Sequence, residues 1–187
     1  MKKLLFFLSI SLIAPALQGQ DIDMNFLKLW DVEKEDIVTL PLQQSVSVLI
    51  FTSSSCPYDQ LYDERIRALH TQYKDRVDFI LINAYTPRQG KELASKTKAQ
   101  AKQFDMPYFI DLNQDAANLF QIEKSPEVAI LAKPQGKYTL EYHGAIDDSP
   151  QSASNSKHHY VEDVLNNLLQ NKPSPHRFVR PAGCRIR

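Results

Sequence analysis

Residues 46 to 73 constrain the fold more than any other part of the chain. Val46-Ser47-Val48-Leu49-Ile50-Phe51 is β-branched and almost continuously apolar, the composition of a strand covered on both faces. It runs into a hydroxyl-rich turn, Thr52-Ser53-Ser54-Ser55, and then Cys56-Pro57. From Tyr58 to Tyr73 the bulky apolar positions Tyr58, Leu61, Tyr62, Ile66, Leu69 and Tyr73 step by three and four, which predicts one face of a helix. Pro57 suits the first helical position, where its missing N–H would lack a helical partner in any case. Cys56 therefore falls at a strand-to-helix junction. A thiolate there is stabilised by unpaired N–H groups and the positive end of the helix dipole. The plainer reading of the same residue is a buried inert thiol or half of a structural disulfide.

Around this unit the chain alternates strand and helix signals. Ile37 to Leu40 reads as an edge strand closed by Pro41, and residues 21 to 45 otherwise as a mixed lead-in. Val77 to Ala84 reads as a second buried strand and Lys91 to Phe104 as a more polar helix. Tyr108 to Ile110 suits a short extended segment and Asp115 to Phe120 one or two helical turns. Ser125-Pro126 breaks the chain before the apolar strand Val128 to Ala132, and Pro134 to Lys137 is a turn leading to a hairpin partner over Tyr138 to His143. Residues 147 to 158 are polar and Ser-rich, which predicts a mobile loop; Val161, Val164, Leu165, Leu168 and Leu169 then mark the cleanest amphipathic helix. The tail from Ser174 to Arg187 has prolines, four arginines and no apolar periodicity, and is expected to be an extended arm rather than a packed element. The pattern is that of an α/β domain with helices on both faces of a sheet.

Residues 1–20 have Met1-Lys2-Lys3 followed by an apolar run to Leu17, too short to span a bilayer, and read as a signal peptide cleaved near Gly19 or Gln20. The expected division is thus a leader over 1–20, one domain over 21–172 and an arm over 173–187 that carries Cys184. The mature protein is expected in the periplasm or outside the cell, with no membrane span. Lys plus Arg equals Asp plus Glu at 22 each, which gives no general electrostatic reason to expect nucleic acid as partner. Cys56 and Cys184 are the two cysteines, and in an oxidising compartment such a pair can bridge. His158-His159 suggests metal binding, but adjacent histidines at a loop-to-helix boundary more often begin a solvated helix; no metal and no cofactor is assigned.

The Cys56-Pro57 turn and Ser125-Pro126 together resemble the active-site turn and cis-proline loop of thioredoxin-fold proteins, with Asp59 standing where a Cys-X-X-Cys motif has its second cysteine. More narrowly, the chain resembles the peroxiredoxin-like branch of the alkyl hydroperoxide reductase and thiol-specific antioxidant superfamily. Residues 46 to 187 carry that resemblance: Cys56-Pro57-Tyr58, Tyr62 with Arg65, Pro107-Tyr108, Asp111, Gln114, Gly136-Lys137, Gly144 through Asp147-Asp148, and Gly183-Cys184-Arg185-Ile186. Ser53 stands where peroxiredoxins have a threonine, and Leu49 where they have a proline.

The resemblance implies a thioredoxin-like three-layer α/β/α sandwich with a central mixed sheet. It also implies a thiol-based oxidoreductase in which Cys56 attacks a peroxide oxygen or a protein or small-molecule disulfide, and a thiol donor supplies electrons. Ser53, Pro57, Ser125 and Pro126 are expected to support the site. Two roles stay open for Cys184: resolving cysteine on a movable arm, or one end of a permanent clip. In the second case the protein is a redox-inert thioredoxin-like binding or structural module.

Overall fold

The computed structural model describes residues 21–85 and 90–186, with backbone only for 90–93. The expected leader over 1–20 lies outside the described residues. Among the described residues ten strands and four α-helices follow one another: β1 Lys28–Asp31, β2 Asp36–Thr39, β3 Val46–Phe51, α1 Pro57–Tyr73, β4 Asp78–Asn83, α2 Gly90–Ala101, β5 Tyr108–Ile110, α3 Asp115–Leu119, β6 Lys124–Ser125, β7 Glu127–Ala132, β8 Thr139–Gly144, α4 Tyr160–Leu168, β9 Phe178–Val179 and β10 Cys184–Arg185.

Eight strands form one mixed sheet in the order β2-β1-β5-β4-β3-β7-β8-β9, and β6 and β10 form a separate two-stranded pair. Within the large sheet β3, β4 and β5 run parallel, while β7 lies antiparallel beside β3. All six residues of β3 are buried, as its continuous apolar run requires, because both faces of the sheet are covered. Alternate side chains then serve different cores. Val48 and Ile50 join Leu81, Tyr108 and Ile130 against Tyr62, Ile66 and Leu69 of α1 and Val161, Val164 and Leu165 of α4. Leu49 and Phe51 join Ile80, Ile82, Ala129 and Leu131 against Ala116 and Ala117 of α3, Phe120, and Met24 and Leu27 of the N-terminal segment. The result is the expected three-layer sandwich with helices on both faces. Among the described residues, no helix is long and apolar enough to cross a membrane.

Three expectations change. The buried stripe of α1 is Asp59, Tyr62, Ile66, Leu69 and Tyr73, whereas Tyr58 and Leu61 are exposed; an aspartate therefore sits on the face that periodicity reserved for apolar residues. The loop over 147–158 is tied down, because Asp148 Oδ1 accepts from Ser156 Oγ, Lys157 N and His158 N. Those three donors hold the Asp148 carboxyl down at about 2, below the usual carboxylate range. Finally, the C-terminal arm is extended but packed. β9 lies parallel to β8, with Val179 opposite Gly144, and β10 lies antiparallel to β6. Gly144 has φ +132°, and a Cβ there would sit 2.1 Å from the Val179 carbonyl oxygen, so glycine is required where the arm crosses β8.

Candidate active site

The end of β3 delivers Thr52 to Ser55 to the start of α1, where Cys56 is the N-cap residue in extended conformation and Pro57 opens the helix. Cys56 forms a disulfide with Cys184 across a Cα–Cα separation of 6.0 Å, joining residues 128 apart in sequence. Cys56 is only 2% exposed, whereas Cys184 is half-buried. The Ser125-Pro126 peptide is cis, and the Ser125 carbonyl oxygen lies 3.4 Å from Cys56 Sγ. While the disulfide stands, that sulfur carries no hydrogen, so the approach is a contact; a free thiol in the same place could donate to the carbonyl.

The arm reaches the site as a strand. Cys184 lies opposite Ser125 and Arg185 opposite Lys124, and the Ile186 N–H donates to the Glu123 carbonyl at 2.9 Å. Lys124 Nζ donates to the Pro181 carbonyl at 2.9 Å. Glu127 Oε2 accepts from the Glu123 and Lys124 N–H groups at 3.0 Å each, which sets the course of β6 before the cis bond. Gly183 packs directly on this segment: a Cβ there would fall 2.3 Å from the Ser125 carbonyl oxygen.

Beneath the disulfide, Asp59 is fully buried. Its Oδ2 accepts from the Ser53 N–H at 3.1 Å and from Ser125 Oγ. The carboxylate thus ties the β3–α1 turn to the cis-proline loop. Its Oδ1 and the nearby Thr52 Oγ1 have no hydrogen-bond partner among the described residues. Burial pushes the Asp59 carboxyl up to about 7, against the opposing pull of the Ser125 and Ser53 donors. The Ser53 hydroxyl is turned to Ser55, at 2.9 Å from its Oγ and 3.2 Å from its N–H.

Cys56, Cys184, Ser53, Pro57, Ser125 and Pro126, all singled out from the sequence, are thus brought to one place. Asp59 was legible only as a departure from a cysteine motif. Its spacing of three from Cys56 is a usable signal, since it puts the carboxylate on the same side of the first helical turn. The Tyr62, Arg65 and Asp147 motif residues meet elsewhere. Arg65 Nη1 donates to Asp147 Oδ2 at 2.6 Å and to the Ser149 carbonyl at 2.8 Å, while its guanidinium lies 3.6 Å over the Tyr62 ring. Tyr62 Oη donates to Asp147 Oδ1 at 3.1 Å. This constellation fastens α1 to the segment after β8. His158 stacks on Tyr160 and His159 Nδ1 lies 4.0 Å from Glu162, and among the described residues no group of three or more histidine, cysteine or acidic side chains is placed to hold a metal ion.

No family model and no curated protein matches this chain. Among solved structures, an uncharacterised conserved protein from Geobacillus kaustophilus superimposes with a TM-score of 0.77 at 23% identity, covering 90% of each chain. A hypothetical protein from Sinorhizobium meliloti gives 0.73 at 20% identity, covering 90% of this chain and 96% of that one. The exposed lipoprotein thioredoxin of Streptococcus pneumoniae gives 0.51 at 13% identity, covering 67% of this chain and 93% of that one. With the parallel β3–β4–β5 core, antiparallel β7 and β8, and a cysteine facing a cis-proline loop, these likenesses show that the chain has a thioredoxin-like fold.

Proposed function

We propose that the protein is an exported thiol–disulfide oxidoreductase in which Cys56 is the attacking thiolate and Cys184 the resolving cysteine. The observation that carries the reading is the disulfide itself, formed at the N-terminus of α1 and against the Ser125-Pro126 loop. A thiolate released at Cys56 faces the positive end of a helix dipole, which makes it a good leaving group. Pro57 starts that helix, Ser53 and Ser125 anchor the two halves of the site through Asp59, and Pro126 fixes the loop beside the sulfur. In the reductive half-reaction a donor thiolate attacks the more accessible Cys184 sulfur, and Cys56 leaves as the thiolate. A second donor thiolate then attacks the donor sulfur of the mixed disulfide, Cys184 leaves, and the donor is oxidised by two electrons.

Peroxide as the oxidant, the narrower activity suggested by the motif residues, draws less support. Ser53 Oγ is engaged by Ser55, and Arg65 is held by Asp147 and three carbonyls. Export rests on the sequence of residues 1–20, and a mature chain beginning near residue 21 in the periplasmic or extracellular fraction tests it.

The burial of Cys56 favours one other reading, a permanent clip in a redox-inert module. The two are separated by equilibrating the protein with glutathione or dithiothreitol buffers. A potential above about −270 mV together with turnover of a disulfide substrate supports the enzyme. A bond below about −300 mV that supports no turnover assigns the clip. Cys56→Ser is expected to abolish turnover, and Cys184→Ser to leave a stable mixed disulfide on Cys56.

A further inference from the structure

The two faces of the sheet are covered unequally. The first core lies under α1, with 17 residues, and α4, whereas the second lies under α3, which has five, and the short turn Met24–Phe26. This second face leaves large apolar side chains exposed at two places. At the first, Phe26 is 85% exposed and Leu119 42%, and with Leu140 they line an open groove of about 760 Å³ that also takes in Asp21, Asp23 and Asp115. Asp21 is paired with Lys137 at 2.6 Å, whereas the side chains of Asp23 and Asp115 bond to asparagines, Asn25 at 2.9 Å and Asn113 at 3.4 Å.

The second place is β9, the edge of the sheet. Phe178 is 54% exposed there, with its ring 4.7 Å from that of His143. His143 stands opposite Ala129, a residue of the second core, so Phe178 lies on this same face. Arg177 and Arg180 are exposed beside it. The two places adjoin, because Arg177 Nη1 donates at 3.3 Å to the carbonyl of Leu140, which lines the groove.

One face thus holds an apolar groove rimmed by acids and, next to it, an edge strand that presents a phenylalanine between arginines. Exposed apolar patches with polar rims mark contact surfaces, and aromatic side chains and arginine are the residues enriched in them. We propose that the occupant is a second copy of this chain. Two molecules pack second face to second face about a twofold axis, the Phe178 of each entering the Phe26–Leu119 groove of the other, with Arg180 set against the acids of its rim. A twofold contact requires residue i to meet residue j and j to meet i, and a surface that carries both halves side by side supplies this. Charge sets the register: groove on groove brings acids together and strand on strand brings arginines together, so only the crossed arrangement is complementary. The inference goes beyond the exchange function and does not depend on it.

The test is sedimentation velocity of the purified, oxidised protein from about 1 to about 100 µM. The expected result is a dimer and no larger species, with a dissociation constant that rises with salt. Phe178→Asp and Phe26→Asp are each expected to raise that constant about a thousandfold, because an aromatic anchor is worth about thirtyfold and the axis counts it twice. Both side chains are exposed in the single chain, so circular dichroism and thermal unfolding of the variants should match the wild type, which keeps loss of association apart from loss of fold. Mixing the two variants is the sharper measurement. The mixed pair retains one intact strand facing one intact groove, and should associate about thirtyfold more tightly than either variant alone. A protein that stays monomeric at the highest concentration overturns the proposal, as does a dimer that either variant leaves unchanged. A mixture that associates no better than its separate components refutes the pairing of strand with groove, and growth beyond the dimer refutes the closed twofold arrangement.

Discussion

Two buried aspartates meet helix α1, and they are satisfied in opposite ways. Asp147 has a guanidinium: Arg65 pairs with it at 2.6 Å, and Tyr62 donates to its other oxygen. Asp59, less than two turns earlier on the helix side of the site, has only an N–H and a hydroxyl on one oxygen and nothing on the other among the described residues. A buried charge with a matched cation is a fastening, and one without a cation is a group whose proton is negotiable. The difference separates structure from chemistry along a single helix: the pair holds α1 to the rest of the domain, while the unpaired carboxyl lies beneath the disulfide.

The contrast can be broken from either end. The largest effect is expected for Arg65→Met, which leaves Asp147 buried without its cation and lowers stability by about 3 kcal/mol in denaturant unfolding, with little change in the potential of the Cys56–Cys184 couple. Asp59→Asn should act in the other direction and in a pH-dependent way. The carboxyl is raised from an ordinary 3.8 to about 7, so the folded state holds its proton more tightly than the unfolded chain. Its contribution to stability is full below pH about 4 and is lost as pH rises through about 7. The asparagine variant should lack that slope and be more stable than the wild type at pH 8, by about 2 kcal/mol. Unfolding curves at pH 5 and pH 8 check the sign, and an unchanged slope would remove Asp59 as its source. The smallest effect, about 1 kcal/mol, is expected for Ser125→Ala, which deletes one donor to Asp59 and should move the pH midpoint upward. Tyr62→Phe, which deletes a donor to the already paired Asp147, should cost a similar amount without any shift of midpoint.

The sheet was legible wherever burial leaves a compositional trace. The unbroken run at 46–51 is the central strand β3, and the weak segment at 37–40 overlaps β2, the edge strand at the end of the sheet. Tyr62, Ile66, Leu69 and Tyr73 of the expected α1 face are buried, but at its first turn Tyr58 and Leu61 are large and apolar yet exposed, while Asp59 is polar yet buried. Hydrophobic periodicity cannot anticipate that exchange, since the groups that satisfy Asp59 include Ser125, 66 residues away. The two cysteines and the cis-proline loop were legible as types in a pattern. The docking of the arm was not, because β9 and β10 are two-residue pairings held by backbone, a disulfide and a glycine contact, none of which produces an apolar rhythm. Tyr62, Arg65 and Asp147 stood out as motif residues, but only the folded chain brings residues 82 to 85 positions apart into one fastening.

The disulfide makes a closed ring of most of the molecule, from the first turn of α1 to the last strand. For a chain held by its two ends under tension, that ring sets what can be drawn out. The oxidised protein can yield only the residues on either side of the bridge, however completely its sheet is torn apart. Cutting the single covalent link releases a further 128 residues, roughly 430 Å of extended chain. The redox state of one pair of sulfurs therefore decides whether the protein behaves mechanically as a short tether or as a long one.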